Sequence, residues 1–134
     1  MTRLHFDSIQ GKALDIIGVI LHTEEMASLS DEWLMMRMVV EELVMNIVNW
    51  AYPDGTNGYL DVETMRDEKG ITLRFSDGGV PFNPLEKEMP DTTAPIEQRP
   101  IGGLGIYMVV NRMDAVDYEY TGGENILTVR KYIR

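Results

Sequence analysis

Residues 41–52, Glu41-Glu42-Leu43-Val44-Met45-Asn46-Ile47-Val48-Asn49-Trp50-Ala51-Tyr52, constrain this chain more than any other stretch. They read as an apolar helix that carries a carboxylate and two amides. At about 100° per residue, Glu42, Asn46 and Asn49 fall on one face. The other sides are Leu, Val, Met and Ile, so much of the helix should be buried. Buried carboxylates and amides cost several kcal/mol unless something binds them. Two glycine-rich segments downstream, Asp77-Gly78-Gly79 and Gly102-Gly103-Leu104-Gly105, suggest what does: a nucleotide with its metal.

A length of 134 residues suits one domain with a real core. Apolar residues at 44% and charged residues at 25% are ordinary for a globular protein. A net charge of −10 argues against a nucleic-acid surface, which needs clustered Lys and Arg. It leaves a nucleotide site open, because a pocket's local field can oppose the global one. Without cysteine there is neither a disulfide framework nor thiolate chemistry. The first residues, Met1 to Phe6, alternate like a strand and lack the apolar core of a signal peptide. No apolar run approaches the ~20 residues of a membrane span. The expectation is a cytoplasmic domain with no membrane or nucleic-acid partner.

Along the chain, Thr2 to Ile9 reads as a strand and Gly11 to Ala27 as an amphipathic helix. Ser28-Leu29-Ser30-Asp31-Glu32 looks like a capped start for a helix running to about Tyr52, stopped by Pro53-Asp54-Gly55. Gly58 to Arg66 and Ile71 to Ser76 form a hairpin, as do Ala115 to Tyr120 and Asn125 to Ile133. Between them, Val80 to Ile101 holds Pro81, Pro84, Pro90, Pro95 and Pro100, which reads as a lid rather than an element. Gly103 to Met113 is a short apolar helix. This order predicts an α+β two-layer sandwich: a mostly antiparallel mixed sheet covered on one face by helices.

Three constellations carry chemistry. On the helix, Asn46 offers a neutral oxygen to a hard cation such as Mg²⁺, and Glu42 can deprotonate a hydroxyl aimed at a terminal phosphate. A Glu-x-x-x-Asn pair alone is more often a cap or bridge. In the strand Ile71-Thr72-Leu73-Arg74-Phe75-Ser76-Asp77, the carboxylate of Asp77 is in phase with the apolar face. There it can accept from the exocyclic amine of adenine, and Gly79 would let backbone approach the base. Taken alone, Asp-Gly-Gly is more often a plain turn. Gly102, Gly103, Leu104 and Gly105 open a helix after the lid, where unpaired N–H groups suit phosphates, with Arg99 as an added charge.

In order and spacing, these pieces resemble the GHKL superfamily of ATPases and kinases, over nearly the whole chain. Glu42-Leu43-Val44-Met45-Asn46 is similar to its N-box, Asp77-Gly78-Gly79 to its first glycine box and Gly102-Gly103-Leu104-Gly105 to its second. Length, Val80-Pro81-Phe82-Asn83-Pro84 and Asn111-Arg112-Met113-Asp114 resemble the stand-alone branch of anti-sigma serine/threonine kinases. The resemblance implies a Bergerat-type ATP-binding fold over residues 1–134, with the lid at about 82–101. It implies Glu42 as catalytic base, Asn46 as Mg²⁺ ligand, Asp77 as adenine reader and Gly102 to Gly105 as phosphate cradle. Asn49 falls near the phosphates or ribose. Two positions depart from the pattern: Trp50 stands where relatives usually carry a basic or imidazole side chain, and Pro81 replaces a later glycine of the first box. The implied activity is ATP-dependent phosphorylation of a small antagonist protein, with a sigma factor as the sequestered partner. The alternative is a nucleotide-dependent binding module with little or no phosphotransfer. An exposed sheet edge could support a homodimer.

Overall fold

The computed structural model describes residues 1–53, 56–86 and 103–133, with backbone alone for 86, 103 and 104. Strand β1 (Thr2–Phe6) leads into helices α1 (Ala13–Leu21), α2 (Glu24–Ala27) and α3 (Trp33–Trp50). Strands β2 (Leu60–Arg66) and β3 (Gly70–Asp77) follow, then a 3₁₀ turn at Pro84–Glu86 and helix α4 (Gly103–Arg112). Strands β4 (Ala115–Thr121) and β5 (Glu124–Tyr132) complete one five-stranded sheet in the order β1-β2-β3-β5-β4. Every pairing among the described residues is antiparallel, so the sheet they form is antiparallel throughout and not mixed. The α+β class stands.

Alternation along the strands sorts side chains between two faces. Leu4, Val62, Phe75, Leu127 and Tyr118 lie abreast across the sheet on the face toward the helices. The next rung on that face holds Leu60, Asp77 and Asn125. On the opposite face, Arg3, Glu63, Arg74 and Thr128 are abreast. A one-sided core therefore draws the helices to the first face. Helix α3 buries Met36, Val39, Val40, Leu43 and Val44, a spacing of three and four that makes one continuous apolar stripe. Burying each such side chain contributes roughly 1.5–3 kcal/mol.

Two local expectations fail at the helices. The helix expected over 11–27 breaks after Leu21, and Thr23 caps the short α2 by accepting from the Met26 N–H at 3.4 Å. Ser28 does not cap α3: its hydroxyl donates to the Glu25 carbonyl at 2.7 Å, and Glu32 holds the cap position without a side-chain bond. The break has a physical reason. It turns Glu25, only 7% exposed, under the sheet, where Oε1 accepts from Thr2 Oγ1 at 2.6 Å and Thr64 Oγ1 at 2.7 Å. Of the α3 methionines, Met36 is buried but Met38 is 48% exposed. The turns follow their chemistry: Gly122 and Gly123 have φ of 59° and 80°, which the β4–β5 hairpin requires. Among the described residues, no helix is long and apolar enough to cross a membrane.

Candidate functional site

The half-buried face of α3 presents Glu42 and Asn46 one turn apart. The Asn46 side-chain amide donates to the Glu42 carbonyl at 2.9 Å and to Glu42 Oε1 at 2.7 Å. With both hydrogens directed at Glu42, the Asn46 oxygen is left without a hydrogen bond among the described residues. The Glu42 carboxyl packs against Gly105, in the first turn of α4. A Cβ built at Gly105 would overlap all three atoms of that carboxyl group. Glycine at 105 is thus required so that α4 can close onto the carboxylate of α3. Gly103 and Leu104 form the start of the same turn, where backbone N–H groups lack intrahelical acceptors.

Asn46 also lines an apolar slot between α3, α4 and the sheet, walled by Leu43, Ile47, Phe75, Ile106 and Leu127. Asp77 enters the same slot at the last residue of β3, 5% exposed and in phase with Phe75 as expected. Its Oδ1 accepts from the Gly79 N–H at 2.9 Å and from Asn125 Nδ2 at 3.0 Å. Its Oδ2 accepts nothing from the described residues. Burial pushes the Asp77 carboxyl above the usual range, more than those two hydrogen bonds lower it. A free carboxylate oxygen between apolar walls suits the amino group of a flat heterocycle.

Gly79 has a packing reason of its own. A Cβ there would stand 2.6 Å from the Ala51 carbonyl carbon and 2.8 Å from the Ala51 Cβ. The glycine therefore lets the loop after β3 dock on the end of α3, where the Val80 N–H donates to the Ala51 carbonyl at 2.8 Å. Tyr52 ties the same junction: its hydroxyl donates to the Tyr59 carbonyl at 2.6 Å and accepts from the Gly78 N–H at 2.9 Å.

Asn46 and Asp77 line one slot. Glu42 adjoins it through its hydrogen bond from Asn46 and packs on Gly105, and Gly79 adjoins it through its N–H to Asp77. Asn49 is exposed, forms no hydrogen bond among the described residues and is not part of the slot lining. Trp50 is 59% exposed. Arg99, Gly102 and the expected lid beyond residue 86 lie outside the described residues. Sequence reasoning missed Asn125 and Tyr118, which line the slot from β5 and β4. Asn125 had a usable signal, since it shares the inward phase of Leu127 and Val129.

Among the described residues, no cluster of three or more His, Asp or Glu could hold a metal by itself. The donor set nevertheless fits Mg²⁺ delivered with phosphates. That ion keeps several waters and takes phosphate oxygens, so few protein ligands are called for. The uncommitted Asn46 oxygen is one that could hold it.

A profile for the histidine kinase-like ATPase domain matches residues 15–131, most of the chain. The chain belongs to that family. Within it, the sequence is similar to the serine-protein kinase RsbW of Listeria monocytogenes, 28% identical over 102 residues, which are 73% of this chain and 64% of that protein. RsbW of Bacillus thuringiensis is 29% identical over 103 residues, 74% of this chain and 63% of its own length. This chain thus spans slightly less than two thirds of those RsbW relatives. The serine/threonine-protein kinase BtrW of Bordetella bronchiseptica is 22% identical over 117 residues, 84% of this chain and 82% of BtrW. Among solved structures, the Acinetobacter baumannii histidine kinase AdeS matches 100% of this chain and 68% of its own with a TM-score of 0.54. At 13% identity, that likeness is one of fold. The family and the serine-kinase relatives agree with the GHKL resemblance read from the sequence.

Proposed function

We propose that this chain is an ATP-binding protein serine/threonine kinase of the anti-sigma-factor type. It binds a regulatory partner, a sigma factor, and phosphorylates a small antagonist protein on serine or threonine. One observation carries the reading: a slot lined by Asp77 and Asn46 has a free carboxylate oxygen of Asp77 in its apolar part, and Asn46 joins it to Glu42, which packs on the first turn of α4. These are the needs of a nucleotide: a hydrogen-bond acceptor for its base, a metal ligand and N–H donors for its phosphates.

Each residue then has a role. Asp77 Oδ2 accepts from the adenine amine, while Phe75, Ile106 and Leu127 exclude water from the ring faces. The backbone N–H groups of Gly103, Leu104 and Gly105 receive phosphate oxygens, with Gly102 and Arg99 completing the cradle. Asn46 would hold Mg²⁺, which would supply neutralisation of the charge on the transferred group. Glu42 takes the proton from the incoming serine or threonine hydroxyl. Its hydrogen bond from Asn46 and its packing on Gly105 hold the carboxylate in one direction. The segment 82–101 closes over the site as a lid, and residues 1–134 act as one unit. Phosphorylation places close to two negative charges on the antagonist, which breaks docking to a chain that itself carries a net charge of −10.

Thermal unfolding with and without Mg-ATP tests the site. A ligand at about 100-fold its Kd stabilises by roughly 2.7 kcal/mol, a Tm rise on the order of 10 °C for a domain of this size. The rise should disappear in Asp77→Asn and lose its dependence on Mg²⁺ in Asn46→Ala. Transfer of radiolabel from the ATP γ-phosphate to a serine-bearing antagonist should vanish in Glu42→Ala while the Tm rise remains. No Tm rise in the wild type sinks the nucleotide site. Labelling that survives in Glu42→Ala removes the assigned base.

A further inference from the structure

Asn125 stands directly opposite Asp77 in the β3–β5 register, and its amide is engaged on both sides. Its Oδ1 accepts from the Phe82 N–H at 3.0 Å and from the Tyr118 hydroxyl. Its Nδ2 donates to the Val80 carbonyl at 2.8 Å, to Asp77 Oδ1 at 3.0 Å and, at 3.5 Å, to the Gly79 carbonyl. Three of these partners are backbone groups whose roles cannot change: an N–H only donates and a carbonyl only accepts. They set which end of the amide is nitrogen. Asn125 therefore must offer an N–H to Asp77, and it cannot turn to offer an oxygen.

That choice propagates into the slot. Two N–H groups, from Asn125 and Gly79, converge on Asp77 Oδ1 and exclude a proton there. The carboxyl plane is held, and Oδ2 is the atom left for a ligand. We propose that Asn125 is a positioning residue that sets base preference, by holding Asp77 so that the slot presents an acceptor and selects 6-aminopurines over 6-oxopurines. The inference rests on the nucleotide reading of the site. It concerns Asn125, whose amide is taken up by Phe82, Tyr118, Val80 and Asp77 and so acts through Asp77, and it explains why an uncharged amide occupies the inward face of β5 among Leu127 and Val129.

The same geometry predicts the behaviour of an amide at position 77. In Asp77→Asn, the two converging N–H groups require the new carbonyl oxygen at the Oδ1 place. The new NH₂ must then point into the slot, where it repels an amino group and matches a 6-oxo group. The substitution should change the preference of the site as well as weaken it.

The test is calorimetric titration with Mg-ATP and with Mg-inosine triphosphate, which differ at the 6-position that Asp77 reads. Wild type should favour ATP by about tenfold or more, the scale of one mismatched charged hydrogen bond. Asp77→Asn should reverse the order of the two nucleotides. Asn125→Leu should pull the ATP-to-inosine ratio toward one, because Asp77 loses half of its restraint. Asn125→Ser provides the same reading if the leucine variant does not fold, as judged by circular dichroism. A role for Asn125 in folding alone would weaken both nucleotides equally, so an unchanged ratio in a folded Asn125 variant overturns the proposal. An ATP preference that persists in Asp77→Asn overturns it too. Failure of wild type to bind either nucleotide is a separate result that removes the nucleotide site itself, and the proposal with it.

Discussion

Replacing Glu25 by glutamine should change how this protein unfolds in acid, by an amount that follows from its burial. The Glu25 carboxylate is 7% exposed beneath the sheet, with hydrogen bonds from Thr2 and Thr64 and the Met1 ammonium 3.4 Å from Oε2. Burial alone would raise its pKa. The hydrogen bonds from Thr2 and Thr64 and the nearby ammonium outweigh burial and bring it from 4.5 down to about 2. A group with a depressed folded pKa stabilises the fold above its unfolded value and loses that contribution as pH falls through the folded one. The window is therefore pH 4.5 down to about 2. At about 1.4 kcal/mol per unit, the ionised carboxylate contributes on the order of 3 kcal/mol at neutral pH. Glu25→Gln keeps the shape but cannot ionise, so urea unfolding followed by tryptophan fluorescence should show it about 2–3 kcal/mol less stable at pH 7. The gap should close by about pH 2. Other carboxylates, such as Asp67 paired with Arg130, titrate alike in both proteins and cancel in the difference. A gap of the same size at pH 7 and at pH 2.5 would refute the reasoning, since the lost energy would then be packing and not charge.

Two glycines give contrasting predictions. Gly79→Ala places a Cβ against backbone at the end of α3, which cannot yield as a side chain can, and should cost about 1–3 kcal/mol in urea midpoint measurements. Gly105→Ala meets first the end of the Glu42 side chain, which can swing aside, and alanine is the better helix former by up to about 1 kcal/mol. Its stability should stay within about 1 kcal/mol of wild type, while displacement of the proposed base should slow single-turnover phosphotransfer by about 100-fold. Normal transfer in that variant would mean that Glu42 works in another rotamer.

Much of the fold was legible because it depends on local periodicity. The alternation in Leu60–Arg66 and Gly70–Asp77, the glycine turn at 122–123 and the apolar stripe of α3 are each read within a few residues. The break after Leu21 was not legible. Its cause is a long-range partner, since Glu25 turns inward to reach Thr64 on β2. Ser28 looked like a helix cap for the same reason: local chemistry allows it, and tertiary contacts assigned the hydroxyl to Glu25 instead. Asn49 shares the face of Glu42 by angle alone, but the helix carries it past the slot to an exposed position.

For the site, the sequence by itself determined which chemical groups were available: a carboxylate and an amide one turn apart, an inward-phase Asp77 and glycines that open α4. Composition determined that no cysteine chemistry and no broad basic surface could compete. Only the tertiary structure decided what those groups face. It set Gly105 against Glu42 and Gly79 against Ala51, and it put Asn125 beside Asp77 although 48 residues separate them. Periodicity can say that a side chain points inward. The identity of its neighbour depends on strand order and register, and these follow from how β5 enters the sheet between β3 and β4.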